Sequence, residues 1–479
     1  MQADYFFPEY SMNFVSQSFI IFFLFALPCC LFFDAKRNYY IPVLLFFNII
    51  FYYHTGISGL IVLLFIAFTA WITSKILFTH KNKLVLFSGI VIIVFFLALF
   101  KYYEFLLLSF SDLLRFLGME APVDSFLEYS SAFAYVTGIS FFSFQAIAYL
   151  ADSYLGKLQR PFSFTEVAAY LSFFPTVCAG PIMRPADFFA QTFTHCTDEA
   201  AFSEGIAFIL SGLIKKVVIA SYLSEHLVKD VFTSPDAFSS LSVLFGAYAY
   251  SVQIFCDFSG YTDLAIGIGR LMGYRLPQNF NNPYFSLNIQ DFWRRWHITL
   301  SFWLRDYVYI PLGGSRHGNT YVNLMATMLI GGFWHGSSWT FVLWGGILGL
   351  GLAIHRFWSR HMQLALSSKL WKFLCWLATF HFITLLWILF RAEDFALAKT
   401  IYLRLFSFDL HGDGFPLLTI PAVASCFFIH AFGKACFASF VSFHARLHWI
   451  LQAVLAGVIG TIVMSFGPEG TLPFIYFGF

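Results

Sequence analysis

Eleven apolar stretches dominate the chain, at about 13–33, 39–53, 56–78, 84–100, 131–150, 205–222, 239–256, 337–357, 371–391, 415–432 and 447–466. Most approach or reach the roughly 17–25 residues that a helix needs to cross the hydrocarbon of a bilayer. A backbone in hydrocarbon must satisfy its own N–H and C=O groups, so a chain of such runs folds as helices. With 59% hydrophobic and only 11% charged residues over 479 positions, this much apolar surface cannot be hidden inside one water-exposed globule. The sequence therefore predicts an all-α polytopic membrane protein with about eleven transmembrane helices. Three further pieces, near 166–182, 261–273 and 321–335, are short or broken by Gly and Pro. They read as re-entrant or interfacial segments, which are tolerated at membrane depth only where protein or a water-filled cavity surrounds them. Residues 1–479 are read as a single integral-membrane domain, with N-terminal helices at 1–150, a chemistry-bearing core at 166–357 and C-terminal helices at 371–479.

Charge orients such a chain, because short cytoplasmic loops collect Lys and Arg. The early loops carry Lys36, Arg37, Lys75, Lys81 and Lys83, whereas the N-terminus has Asp4 and Glu9 and the loop after Lys101 has Glu104, Asp112, Glu120, Asp124 and Glu128. The N-terminus is expected outside, and the basic stretch from Arg294 to Arg316 on the cytoplasmic side. No cleavable leader is evident, since Met1 is followed by Asp4 rather than a basic segment.

Several common chemistries are excluded. The eight cysteines are scattered without zinc or C-x-x-C spacing, so neither a metal nor a redox role is expected. The run Gly313–Thr320 has the glycines of a phosphate loop, but Asn319 stands where its lysine belongs. Gly267, Gly269 and Gly273 miss the dinucleotide fingerprint by one residue and lie in an apolar run, where glycine more often serves close helix packing. No G-x-S-x-G elbow is present. No resident cofactor and no nucleic-acid partner are expected.

Two histidines stand out. At 100° per residue, Phe292, Trp296, Leu300, Trp303, Tyr307 and Ile310 fall on one side of a helix, and Arg294, His297, Ser301 and Arg305 on the other, until Pro311 ends the run. That pattern predicts an in-plane helix whose basic face meets an aqueous vestibule suited to anions, although arginines meeting lipid phosphates would give the same pattern. His335 sits instead in MLIGGFWHGSSW, beside Trp334, with small residues on both sides that could let backbone and substrate approach its ring. A buried neutral imidazole is suited to take a proton, and a core histidine bonded to a neighbouring helix is the plainer alternative. Asp257 and Asp263 in an apolar run need water or a partner such as Arg270; lining a funnel is the functional alternative. Asn281 and Tyr284 fall in a probable loop that could shape a cytoplasmic entrance or merely form a turn.

The runs QDFWRRWHITLSFWLRDYVYIPLGGSR (290–316) and GGFWHGSSWTFVLWGGILG (331–349) resemble the membrane-bound O-acyltransferases. The similarity lies nearest the bacterial alginate and peptidoglycan O-acetyltransferases. FFPTVCAGPIMRPADF (173–188), FCDFSGYTDLAIGIGRLMGY (255–274), NFNNPYFSLNIQDFW (279–293) and PFIYFGF (473–479) support it, so most of the chain is covered. The resemblance implies a ring of tilted helices around a central tunnel and places the family's two histidines on His335 and His297. It implies an acetyl group carried by cytoplasmic acetyl-coenzyme A, with the basic face of 294–316 receiving the phosphates. It implies an extracytoplasmic polysaccharide or peptidoglycan acceptor, and a separately encoded periplasmic esterase-like acetyltransferase as partner. His335 would act as base, with His297 positioning the donor or polarising its carbonyl. The bacterial inner membrane is the expected location. A D-alanyl transferase drawing on a carrier-protein thioester, and a transporter or flippase without acyl chemistry, are the alternative readings.

The charge asymmetry has a direct test. Single cysteines near Lys36 and Lys81 should be protected from an impermeant thiol reagent in intact cells, and those near Ser11 and Asp124 should react; the reverse would exchange the two sides.

Overall fold

In a computed structural model of the chain, residues 12–34, 37–119, 136–192, 199–361 and 368–467 are described. Among them the regular structure is helical, with one isolated bridge between Phe238 and Asp413. Eight helices among the described residues are long and apolar enough to span a membrane. They correspond to eight of the eleven apolar runs. The runs at 39–53, 131–150 and 447–466 instead form helices of 17, 16 and 17 residues, at the short limit for crossing. The chain is a polytopic helical membrane protein, and its described helices supply eight of the eleven expected spans at full length.

The chain packs as two compact units, residues 1–197 with 268–277, and residues 198–267 with 278–479. The first contains α1 (Gln17–Asp34), α2 (Arg37–Tyr53), α3 (Ile57–Thr79), α4 (Lys83–Phe116), α5 (Ile139–Tyr154), α6 (Phe164–Leu171) and α7 (Pro185–Gln191). Only 17% of the apolar window of α4 is buried, and Phe87 and Phe95 are among the side chains it exposes, as expected of a lipid-facing helix. The broken stretch foreseen at 166–182 is present: α6 begins in a capping box between Ser163 and Glu166, then gives way to turns over 173–179 that are fully enclosed. Asn48 of α2 makes that possible. Its side chain donates to the Ala169 carbonyl at 3.1 Å and accepts from the Phe174 N–H at 3.1 Å, satisfying backbone that the helix no longer pairs.

The second unit holds α8 (Glu199–Thr233), most of α9 (Ser240–Leu271), the short α10 (Ile289–Trp293) and α11 (Ile298–Leu304), then α12 (Thr320–His335), α13 (Trp339–His361), α14 (Lys369–Arg391), α15 (Phe395–Phe406), α16 (Thr419–His444) and α17 (Trp449–Ser465). Two sequence expectations are corrected here. Residues 261–273 are no re-entrant piece: all but the last two complete the 32-residue α9, whose glycines pack rather than break it. A Cβ on Gly260 would lie 2.9 Å from the Gly212 carbonyl, and one on Gly267 would lie 2.7 Å from that of Gly205, so α8 and α9 touch along their backbones. Residues 321–335 are likewise one continuous helix, capped by the Asn319 side chain.

The same α8–α9 seam carries charge. The π-helical turn Ile214–Ala220 presents Lys215 to Asp263 at 2.5 Å and Lys216 to Asp257, all four side chains largely buried, and Ser211 donates to Asp263 at 2.8 Å. Such pairing is what permits charges at membrane depth. Asp257 and Asp263 therefore have lysine partners on α8 rather than the arginine the sequence suggested.

Candidate active site

The basic amphipathic helix read from 292–310 does not exist as one element. α10 ends at Trp293, α11 begins at Ile298, and between them His297 takes φ 41° and ψ 55°, a left-handed conformation that side chains with a Cβ seldom adopt. Angular positions cannot be carried through such a break. Trp296 and His297, assigned to opposite faces by 100° spacing, are both buried, with His297 0% exposed, while Arg294 and Arg305 stay at the surface.

What holds the break is Asn279. Its main-chain carbonyl accepts from the Ile298 N–H at 2.9 Å. Its side-chain Oδ1 lies 3.2 Å from the Thr299 N–H, 2.7 Å from the Thr299 hydroxyl and 3.3 Å from Nδ1 of His297. Asn279 Nδ2 reaches the Thr262 hydroxyl on α9 at 3.5 Å. One asparagine thus clasps three consecutive residues. His297 lies outside the eight candidate spans, and burial lowers its pKa, so the ring is neutral at neutral pH.

From His297 a row of rings leads to His335. Phe258 meets the His297 ring edge-on at 4.7 Å, Trp334 lies 6.1 Å from it, and Trp334 is 4.9 Å from His335. His335 closes α12, is 3% exposed, and is further enclosed by Trp344 at 5.1 Å and Phe390 at 5.3 Å. Trp387 stacks on Trp344 and contacts Trp296, completing an aromatic wall. The two sequence-selected histidines and Trp334 therefore do come together among aromatic rings, with the polar side chains of Asn279 and Thr299 at the His297 end.

The glycines around His335 do something other than admit substrate. A Cβ on Gly332 would lie 2.5 Å from the Phe341 carbonyl and 2.9 Å from the α-carbon of Gly345; one on Gly336 would enter the Phe341 ring. They let α12 and α13 approach until backbone meets backbone, and this fixes the helix end that carries His335.

The remaining selected residues are dispersed. Arg305 is engaged by neighbouring Asp306 through two contacts, at 2.6 and 3.1 Å, and lies over Phe302. Ser301 turns its hydroxyl back to the Trp296 carbonyl at 3.4 Å. Arg294 is exposed. Asn281 accepts from Lys434 at 2.9 Å on the surface. Tyr284 lies in the short 3-10 turn Pro283–Phe285, as the turn reading has it, and is buried: it donates to the Ser251 carbonyl, stacks on His430 at 5.7 Å, and its main-chain carbonyl accepts from Trp376 at 2.7 Å. Asn279, Lys215 and Lys216 were missed from sequence. The two lysines were visible as adjacent charges inside an apolar run, opposite two aspartates in another. Asn279 carried no such signal, because asparagine in a loop reads as a turn former.

Residues 47–393 match the membrane-bound O-acyltransferase family, MBOAT. The chain belongs to that family. It is 39% identical over 326 residues to a protein named "Probable alginate O-acetylase AlgI" from Pseudomonas aeruginosa, covering 67% of this chain and 60% of that one. It is 38% identical over 366 residues to a peptidoglycan O-acetyltransferase from Helicobacter pylori, covering 69% and 66%. A teichoic acid D-alanyltransferase from Bacillus subtilis is more distant, at 29% over 275 residues, 54% of this chain and 69% of that one. The chain thus matches somewhat under two thirds of the length of the O-acetylase relatives.

The glycine packing separates two neighbours in sequence. Gly332→Ala should cost about 1–3 kcal/mol through overpacking against backbone. Gly331→Ala should be nearly neutral, since it meets only the Leu304 side-chain end at 3.1 Å. Thermal unfolding of the detergent-solubilised variants measures the difference.

Proposed function

We propose that this chain is a membrane O-acetyltransferase that takes acetyl from a cytoplasmic thioester, acetyl-coenzyme A, for O-acetylation of an extracytoplasmic polymer, alginate-like or peptidoglycan. The observation that carries the reading is the pair His297 and His335, both buried and joined through Trp334 within a family of acyltransferases. In the reaction an acceptor hydroxyl attacks the thioester carbonyl. Its proton passes to His335, the C–S bond breaks, and that proton leaves with the thiol. Aromatic walls around both imidazoles keep water scarce, which favours transfer over thioester hydrolysis. Holding donor and acceptor in line is the larger contribution, worth roughly 7–11 kcal/mol of barrier when alignment is good.

Acetyl is favoured over D-alanyl as the group transferred because the O-acetylase relatives are 38–39% identical and the D-alanyl relative 29%. For donor phosphates, the exposed Arg294 and Arg316 are better placed than Arg305, which Asp306 occupies. A periplasmic esterase-like transferase is the proposed partner that receives the acetyl group or completes its transfer to polymer. The loop charges favour an N-terminus outside, and the family resemblance favours the bacterial inner membrane.

The test is turnover by the purified full chain in vesicles, with the partner transferase supplied as acceptor. Acetyl-coenzyme A should be consumed and an acylated carrier protein should not. His335→Ala should lose roughly 10²- to 10⁴-fold in rate while still binding donor. Near-normal turnover in folded His335→Ala protein would remove His335 as the base, and preference for a carrier-protein thioester would favour D-alanyl transfer.

A further inference from the structure

The hydrogen bonds around Asn279 determine which nitrogen of His297 can meet a substrate. Asn279 Oδ1 receives the Thr299 main-chain N–H at 3.2 Å. A main-chain N–H can only donate, so the atom in that position must be the amide oxygen, and the side chain cannot be turned over. The same oxygen is 3.3 Å from His297 Nδ1. An oxygen of this kind only accepts, so Nδ1 must carry the proton. In a neutral imidazole the lone pair is then on Nε2. That Nε2 is buried and has no hydrogen-bond partner among the described residues. A buried polar atom without a partner costs stability unless a ligand or water completes it.

We propose that Asn279 is a positioning residue of this centre: it locks His297 in the Nδ1–H tautomer, so that Nε2 faces substrate with its lone pair, as a hydrogen-bond acceptor. The inference rests on placing His297 in an acyl-transfer centre, and it changes the role His297 has there. A neutral Nε2 with a lone pair cannot donate to a thioester carbonyl, so His297 does not polarise the donor in the resting state. The group it is built to receive is an O–H, and the O–H at the reacting centre is that of the attacking hydroxyl. His297 then orients that hydroxyl before attack, and its one proton turns from Nε2 of His297 to the base His335 as the oxygen lone pair attacks. The left-handed turn serves the same end, because it brings Nδ1 back onto the asparagine that also bonds residues 298 and 299.

Ring ¹⁵N NMR of the full chain in nanodiscs, labelled at histidine, reads the tautomer without any substrate. The signals of His297 are those lost in His297→Gln. The wild type should show a protonated, pyrrole-type Nδ1 and a pyridine-type Nε2, and Asn279→Leu should mix or invert the two. Turnover then reads the consequence. Asn279→Leu should lose roughly 10²- to 10⁴-fold in kcat with little change in donor KM. Asn279→Asp, which keeps an acceptor at the same place, should retain the tautomer and recover most of the rate. Its carboxylate favours the imidazolium, so the acid limb of its pH profile should move to higher pH. A structural role alone would not move that limb. A pyridine-type Nδ1 in the wild type would overturn the proposal, as would Asn279→Leu protein that folds and turns over normally, or Asn279→Asp as inactive as Asn279→Leu. If the wild type ignores acetyl-coenzyme A, the proposed donor is wrong, and the ring signals still decide the tautomer.

Discussion

The clasp of Asn279 on residues 297–299 is the contact on which the candidate site depends. A left-handed residue with a β-carbon costs of order 1–3 kcal/mol and persists only where its surroundings hold it. Here one side chain and one carbonyl supply four contacts across the kink. Without the kink, α10 and α11 would join into the amphipathic helix that the sequence pattern describes, and His297 would lie on its polar surface. With it, His297 is turned inward against Phe258 and towards Trp334.

His335 reaches the same row of rings by packing rather than by strain. Gly332 and Gly345 allow α12 and α13 to close to backbone contact, and the end of α12 is thereby set against Trp344 and Phe390. The α8–α9 seam uses a related device, with small residues for approach and two lysine–aspartate pairs that neutralise what the apolar interior could not otherwise hold. In the proposed reaction this environment suits acyl transfer from a thioester. Burial keeps the His297 imidazole neutral, and rings around the two histidines would keep water, the competing nucleophile, scarce.

Much of this was legible in the sequence and some was not, for identifiable reasons. Apolar runs gave the helices, because a spanning segment must be apolar whatever packs beside it. Histidines in such runs drew attention, because an ionisable group there is costly, and both lie where the rings gather. The angular reading of 292–310 failed, since it assumed unbroken helical geometry and nothing in RRWHIT marks a left-handed histidine. Glycines 331, 332 and 336 were seen as room for substrate, whereas the space beside Gly332 and Gly336 belongs to the neighbouring helix. Tyr284 was read as a turn residue or part of an entrance; the turn is there, and the hydroxyl and ring are spent on Ser251 and His430, partners that no local pattern reveals. Partners distant in sequence, such as Asn279 for His297 and Lys215 for Asp263, are fixed by tertiary contact, and periodicity within one segment holds no record of them.

The central claim is that acyl transfer occurs between His297 and His335, beside Trp334. Its most direct test is an experimental structure of the full chain with a non-hydrolysable thioether analogue of acetyl-coenzyme A. The acyl end of the analogue should lie against Trp334, with its reacting carbon positioned so that a hydroxyl beside it falls within about 2.6–3.2 Å of a histidine nitrogen. An analogue bound with its acyl end away from both imidazoles would contradict the assignment of this centre.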